Sequence, residues 1–370
     1  MKIARIAVSH HALDLDLPFP AAWDPEPRWR FVATVVRVIT DDGLEGIGSG
    51  DAMPGFAGHE PLFVGRDPRD LDRHHRVIDN LSFHYGRCWP LDLALWDLFG
   101  KIAGQPCWRL LGGASPRLRL YASTGMHLPP RATVEVVEHA RSCGFDAVKL
   151  RFCAADWRDD VARVEAVRAR LGDAVTLLVD ANQGWRMPWD ASAPWTLKDA
   201  MAVARALEPL DVYWLEEPLH RADRDGMRAL RQATGIRIAG GEMAREAHDL
   251  TGLIDGGCLD VLQPDAALVG GITGLRRIAD HCRTKGLMFT PHTWGNGIGL
   301  LANAQLTAGC GAPCPFLEFP HDPPTWTPDR RDFILARPVN ADGDGHLTLP
   351  ETPGLGIELD EERLAATRIG

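Results

Sequence analysis

Along most of the chain, short apolar runs alternate with longer amphipathic ones. Residues 118–122, 147–150, 175–179, 212–215, 236–239, 261–263, 287–290 and 316–317 are runs of strand length, rich in aliphatic residues. Between them, residues 133–143, 159–170, 197–207, 223–233, 247–255, 270–285 and 299–309 repeat apolar positions at helical spacing. Eight strands alternating with helices over about 200 residues predict a mixed α/β fold, a (β/α)8 barrel. The alternative is an open, doubly wound sheet. That fold usually shows a glycine-rich dinucleotide fingerprint after its first strand, and none is placed so here.

The first part of the chain reads differently. Residues 3–8 and 31–40 are strand-like, and Asp41-Asp42-Gly43 turns the chain into a returning strand over 44–48. A proline-stiffened loop with aromatics spans residues 18–27, and a second loop rich in Gly and Pro spans 51–58. Either loop suits a lid over a site or an ordinary surface turn. Residues 90–103 place Leu91, Ala94, Leu95, Leu98 and Ile102 on a helix that Gly104-Gln105-Pro106 stops. Leu110-Leu111-Gly112-Gly113 marks a boundary, and residues 354–359 look β-like. The expected organisation is an α+β capping domain over residues 1–115 with lid loops near 18–30 and 51–60. The barrel occupies 116–340, and a C-terminal segment, 341–370, returns to the capping domain.

Composition narrows the partners. The chain has 370 residues, 45% hydrophobic and 24% charged, with a formal net charge of −10. It has no long basic run, which argues against nucleic acid. No apolar stretch suits a signal peptide or a membrane span, so a cytoplasmic protein is expected. The eight scattered cysteines, Cys310 and Cys314 included, read as reduced thiols.

Three of the strands share one ending. Leu177-Leu178-Val179 ends in Asp180, Val212-Tyr213-Trp214-Leu215 in Glu216, and Ile236 to Gly241 in Glu242. Acids converging at the carboxyl ends of adjacent strands repel one another and are costly to desolvate. A hard divalent cation with oxygen ligands resolves that conflict, so these three are expected to hold Mg2+. The other strand ends fit the same pattern: Lys149 and Arg151 at the second, Asp265 after the sixth, His292 after the seventh and Glu318 at the eighth. Active sites of such barrels lie on that face.

Together these stretches resemble the enolase superfamily, mandelate racemase subgroup. The resemblance rests on Val148-Lys149-Leu150-Arg151, Val179-Asp180-Ala181-Asn182, Trp214-Leu215-Glu216-Glu217-Pro218, Ala239-Gly240-Gly241-Glu242, Gln263-Pro264-Asp265 and Pro291-His292. In the first domain it rests on Ala94-Leu95-Trp96-Asp97-Leu98 and Leu110-Leu111-Gly112-Gly113. It implies Mg2+-dependent removal of the proton α to a carboxylate, with a sugar acid as substrate and a homo-oligomeric enzyme. Lys149 would add positive charge at the carboxylate. Glu318 would donate a hydrogen bond from a protonated carboxyl group, and Asn182 would lie at the metal-bound end. His292, oriented by Asp265, is the expected base.

Arg151 stands where many relatives of this family carry a lysine base. A guanidinium stays protonated and is a poor base. One good base predicts a one-base reaction: dehydration of a polyhydroxy acid to a 2-keto-3-deoxy acid. Arg151 would bind substrate or pair with a neighbouring acid. The alternatives are a racemase or epimerase, a sugar-lactone cycloisomerase working through the same enolate, and a catalytically silent sugar-acid binder. A metal-dependent amidohydrolase usually needs a His-x-His pair, which the chain lacks. Trp294, His127 and Trp23 are expected near substrate. Arg28, Trp29, Met53, Phe56, His84 and Tyr85 are further loop candidates.

Overall fold

The computed structural model describes residues 1–50, 52–187, 189–190 and 193–369. Asp51, the first residue of the loop expected over 51–58, lies outside the described residues. The chain opens with an antiparallel sheet of β1 (Ile3–Phe19), β2 (Arg28–Thr40) and β3 (Glu45–Gly50). β1 runs far beyond the expected 3–8. Its second half alternates leucine and aspartate, so Leu15 and Phe19 face inward while Asp14 and Asp16 face solvent.

Two helices follow, α1 (Leu71–Tyr85) and α2 (Trp89–Ala103). α2 starts with Pro90 in its first turn, where a missing N–H breaks no bond, and stops at Gly104 in the left-handed region. β3 lies directly on its backbone. A Cβ at Gly48 would come within 2.0 Å of the Pro90 carbonyl oxygen, and one at Gly46 within 2.2 Å of that of Ala94. Gly48→Ala should therefore force the sheet off the helix, destabilising the fold by about 3 kcal/mol. A lowered midpoint in thermal unfolding followed by circular dichroism checks this.

After the short α3 (Cys107–Leu110) come eight parallel strands: β4 (Arg117–Ser123), β5 (Ala147–Arg151), β6 (Thr176–Asp180), β7 (Val212–Glu216), β8 (Arg237–Gly240), β9 (Val261–Leu262), β10 (Met288–Phe289) and β11 (Leu317–Pro320). Each expected strand has its counterpart. So do the helices between them: α4 (Pro130–Ser142), α5 (Trp157–Leu171), α6 (Leu197–Leu207), α7 (Arg224–Ala233), α8 (Ala247–Asp255), α9 (Gly271–Lys285) and α10 (Gly297–Cys310). Ladders run from β10 back through β4 and on to β11. β10 and β11 share no ladder among the described residues. That seam is spanned by Phe289 N–H to Pro313 O at 2.9 Å and by Thr293 Oγ1 to Glu318 O at 2.8 Å.

α11 (Pro328–Arg331), β12 (His346–Thr348), antiparallel to β4, and α12 (Glu361–Thr367) complete the chain. Residues 354–359 form isolated bridges rather than a strand, Gly354 with Pro106 and Leu359 with Leu335. The buried Asp97 of α2 ties this segment down, accepting the Leu355 N–H and the Ile47 N–H at 2.8 Å each. Among the described residues no helix is long and apolar enough to cross a membrane.

The barrel's floor is a packed cluster of Tyr121, Ala147, Leu178, Trp214, Ala239, Val261 and Phe316. Side chains two residues apart on a strand point the same way. The next inward position above each floor residue is therefore Ser123, Lys149, Leu178's successor Asp180, Glu216, Gly241, Gln263 and Glu318. The floor's register thus decides which side chains reach the mouth.

Candidate active site

Asp180, Glu216 and Glu242 are buried, and each offers an oxygen within 4.8 Å of the others'. Gly241, at φ 112°, redirects the chain after β8 so that Glu242 follows it into the cluster. Lys149 reaches up through the middle. Its Nζ lies 2.8 Å from Glu216 Oε1, 2.8 Å from Glu318 Oε1 and 3.6 Å from Asp180 Oδ2.

Cations do not balance these acids. Burial and the nearby Asp180 push the Glu216 carboxyl up to about 8 despite Lys149. Burial likewise raises Glu242 and Glu217, with neighbouring acids adding to it. Oε2 of Glu242, Oε2 of Glu217 and Oδ1 of Asn182 are buried without a hydrogen-bond partner. Unmatched negative charge and orphaned oxygens are what a site for a hard divalent cation requires, so the donor set fits such an ion.

His292 faces this cluster from beyond β10. Its Nδ1 lies 3.0 Å from Asp265 Oδ2. Its Nε2 stands 3.8 Å from Glu242 Oε2, too far for a hydrogen bond. Asn303 of α10 steadies the pair, donating from Nδ2 to Asp265 Oδ1 at 2.9 Å and to the His292 carbonyl at 3.2 Å. Desolvation lowers the imidazole's proton affinity, but Glu242, Glu318 and Asp265 outweigh it and raise the pKa to about 9.

Arg151 is ion-paired to Asp180, and its Nε donates to Thr124 O at 2.8 Å. Its pKa is raised, burial being outweighed by Asp180 and the other acids. Its neighbours thus favour the protonated form, and in this geometry it pairs with an acid. Two indoles cover it, with the Trp23 and Trp294 ring centres 4.8 Å and 5.4 Å from the guanidinium. The indoles meet edge to face at 5.0 Å. Trp23 also lines a cavity of about 400 Å³ with Asn182, Trp185 and Trp195. Trp294 lines one of about 450 Å³ with Arg28, Asp265 and Thr293. Asn182 itself takes a left-handed φ of 48°, unusual outside glycine.

The surroundings of the other expected residues differ. The oxygens of Glu318 accept from Ser123 Oγ at 2.7 Å and from the Thr293 N–H at 2.8 Å, besides Lys149. Burial would raise its pKa, but Lys149, His292 and Arg151 together hold it below the usual carboxylate range. His127 is not held toward the cluster. Its Nε2 is bound to Asp160 of α5 at 2.7 Å, which raises its pKa to about 9. Met53 and Phe56 are buried in the hydrophobic core, whereas Trp29 and Tyr85 are more than half exposed.

Several residues of the site were given no role in the reading of the sequence. Ser123 receives a hydrogen bond from Trp294 Nε1 at 2.9 Å. Gln263 donates to Glu216 Oε2 at 2.8 Å. Both sit at strand ends and could have been found by extending the strand-end count to uncharged residues. Asn303 lies inside a helix and carried no local signal.

The family model described as "Mandelate racemase / muconate lactonizing enzyme, N-terminal domain" matches residues 4–112. The one described as "Enolase C-terminal domain-like" matches residues 132–363. The chain is 32% identical over 361 residues to the 3,6-anhydro-alpha-L-galactonate cycloisomerase of Streptomyces coelicolor, covering 92% of each. It is 30% identical over 286 residues to the L-talarate/galactarate dehydratase of Salmonella typhimurium, covering 72% of this chain and 69% of that one. Among solved structures, a racemase from Streptomyces coelicolor A3(2) with bound magnesium superposes with a TM-score of 0.85 at 26% identity, over 99% of this chain and 100% of that one. Both domains and the full length of the fold agree: the chain belongs to the mandelate racemase/muconate lactonizing enzyme family of the enolase superfamily.

Proposed function

We propose that this enzyme removes the proton α to the carboxylate of a sugar acid and expels an oxygen from the β-carbon, dehydrating a polyhydroxy acid to a 2-keto-3-deoxy acid. The observation that carries this reading is the His292–Asp265 pair, whose outer nitrogen stands 3.8 Å from Glu242, while the acids around Arg151 keep it protonated. Asp180, Glu216 and Glu242 would hold Mg2+. When bound, it supplies positive charge to the substrate carboxylate as the α-carbon loses its proton.

The protein's own groups do the rest. His292 Nε2 accepts the α-proton, and Asp265 fixes the tautomer and stabilises the imidazolium. Lys149 supplies a fixed positive charge beneath the carboxylate. As the C–O bond at the β-carbon breaks, His292 returns its proton to the departing oxygen. The resulting enol becomes the ketone. Trp23 and Trp294 exclude water above the site, and Asn182 is placed to bind the substrate end nearest the acids.

A second reading keeps every step but makes the departing oxygen part of a ring, so that nothing is released. The near full-length similarity to a cycloisomerase favours it. Incubating the protein and Mg2+ with aldonic, aldaric, anhydro and lactone substrates, with product masses measured, separates the two. Dehydration gives a semicarbazone-forming keto acid lighter by one water, and ring opening gives an isomer of unchanged mass. Failure to exchange the α-proton of any of them with solvent deuterium would remove both.

The site's charge gives a pH prediction. A base must be deprotonated to act, and at about 9 the imidazole is mostly protonated at neutral pH. Glu242 leads the groups that raise it, and a cation neutralising Glu242 removes that cause. The His292 midpoint, followed by NMR of labelled histidine, should fall from near 9 toward the ordinary histidine value when Mg2+ is added.

A further inference from the structure

We propose that His139, Cys143 and His321 form a second metal site, for a thiophilic divalent cation such as Zn2+, on the outer wall of the barrel. His139 and Cys143 stand one helical turn apart at the end of α4. His321 follows directly on β11. Each offers one ligand atom, and the three atoms lie within 4.8 Å of one another.

The geometry suits a tetrahedral ion. Bonds of about 2.3 Å to sulfur and about 2.0–2.1 Å to nitrogen put S and N about 3.6 Å apart across a tetrahedral edge. Cys143 Sγ and His139 Nε2 are 3.7 Å apart. The two imidazoles lie nearly parallel, 12° between planes and 5.9 Å between centres, so one ring turns to bring its in-plane lone pair onto a shared ion. Nε2 of His321 is buried without a hydrogen-bond partner.

The protonation states help. Burial first, then His139 and Arg331, lower the His321 pKa to about 4, so its imidazole is neutral and ready to ligate. Arg331 does not bring a free charge, because it is bound to Asp332 at 2.6 Å. One thiol and two imidazoles select a softer ion than the three carboxylates at the barrel mouth do. The fourth position is left to water on the side of the exposed His139.

An ion there would tie α4 to the segment after β11. The next residue, Asp322, accepts the N–H groups of Gly125 and Met126 at 2.7 Å and 2.9 Å. A Cβ on Gly125 would meet Phe19, Trp23 and Trp294. The second site therefore braces the wall on which the aromatic cover rests.

The test is Co2+ titrated into protein stripped with chelator. A thiolate-to-cobalt absorption band saturating at one equivalent, displaced by Zn2+ and absent in a folded Cys143→Ser variant, is the expected result. His139→Ala and His321→Ala should each weaken binding by more than about 100-fold, beyond the loss of an outer-shell partner. No thiolate band, or one that survives in Cys143→Ser, overturns the proposal. Should that variant not fold, alkylation of the unaltered protein decides. Zn2+ must protect Cys143 from iodoacetamide, and equal labelling with and without Zn2+ overturns it. The carboxylate cluster yields no thiolate band, so it cannot imitate either result.

Discussion

His292→Asn should lower turnover by about 10⁴-fold, the upper end of what a positioned general base contributes. The substitution keeps a polar group of similar reach beside Asp265 but removes the nitrogen that faces the acids. Asp265 retains its bond from Asn303 at 2.9 Å and the N–H of Ala267 at 2.8 Å, so the surroundings hold their shape. Mg2+ binding should be unchanged, because no cation ligand is lost. Exchange of the substrate α-proton with solvent deuterium reads the step directly. An unaltered exchange rate in a folded, Mg2+-loaded variant would place the base on another residue. Arg151 is a poor candidate, since its neighbours drive its pKa further from neutrality.

Glu242→Gln should abolish turnover by another route. It removes a charged ligand from the acid cluster while also removing like-charge repulsion from the metal-free protein. Two stability results follow. In the unaltered protein, Mg2+ at about 100 times its Kd should add about 2.7 kcal/mol, visible as a raised Tm. In Glu242→Gln that gain should vanish, while the Tm without Mg2+ should equal or exceed that of the unaltered protein. The sign follows from the raised Glu242 pKa, since a carboxylate that is costly to ionise in the fold stabilises it when made neutral. A gain from Mg2+ that survives in the variant would mean the ion sits elsewhere.

The barrel was legible because most of its strands are buried on both faces and read as apolar runs that break where a polar side chain is delivered. Asp180, Glu216, Glu242 and His292 declared themselves by that abrupt break. β1 was underestimated because an edge strand with one wet face shows alternation, and Leu13-Asp14-Leu15-Asp16-Leu17 alternates with acids rather than with the β-branched residues that mark strands. Asn303 and Ser123 act across 38 and 195 residues of sequence, on Asp265 and Glu318. Contacts of that span leave no periodic trace. The cations that surround Glu318, Lys149, His292 and Arg151, are brought together only by folding, so the sequence carried no sign of their combined pull on its carboxyl.

A cask leaks first at its least tightly bound joint. In this molecule that joint is the one between β10 and β11, and it runs behind His292 and Glu318. Local opening, which starts where the backbone is least laced, should therefore begin beside the reacting groups. Whatever tightens Thr293 against Glu318 should therefore slow amide exchange along that seam.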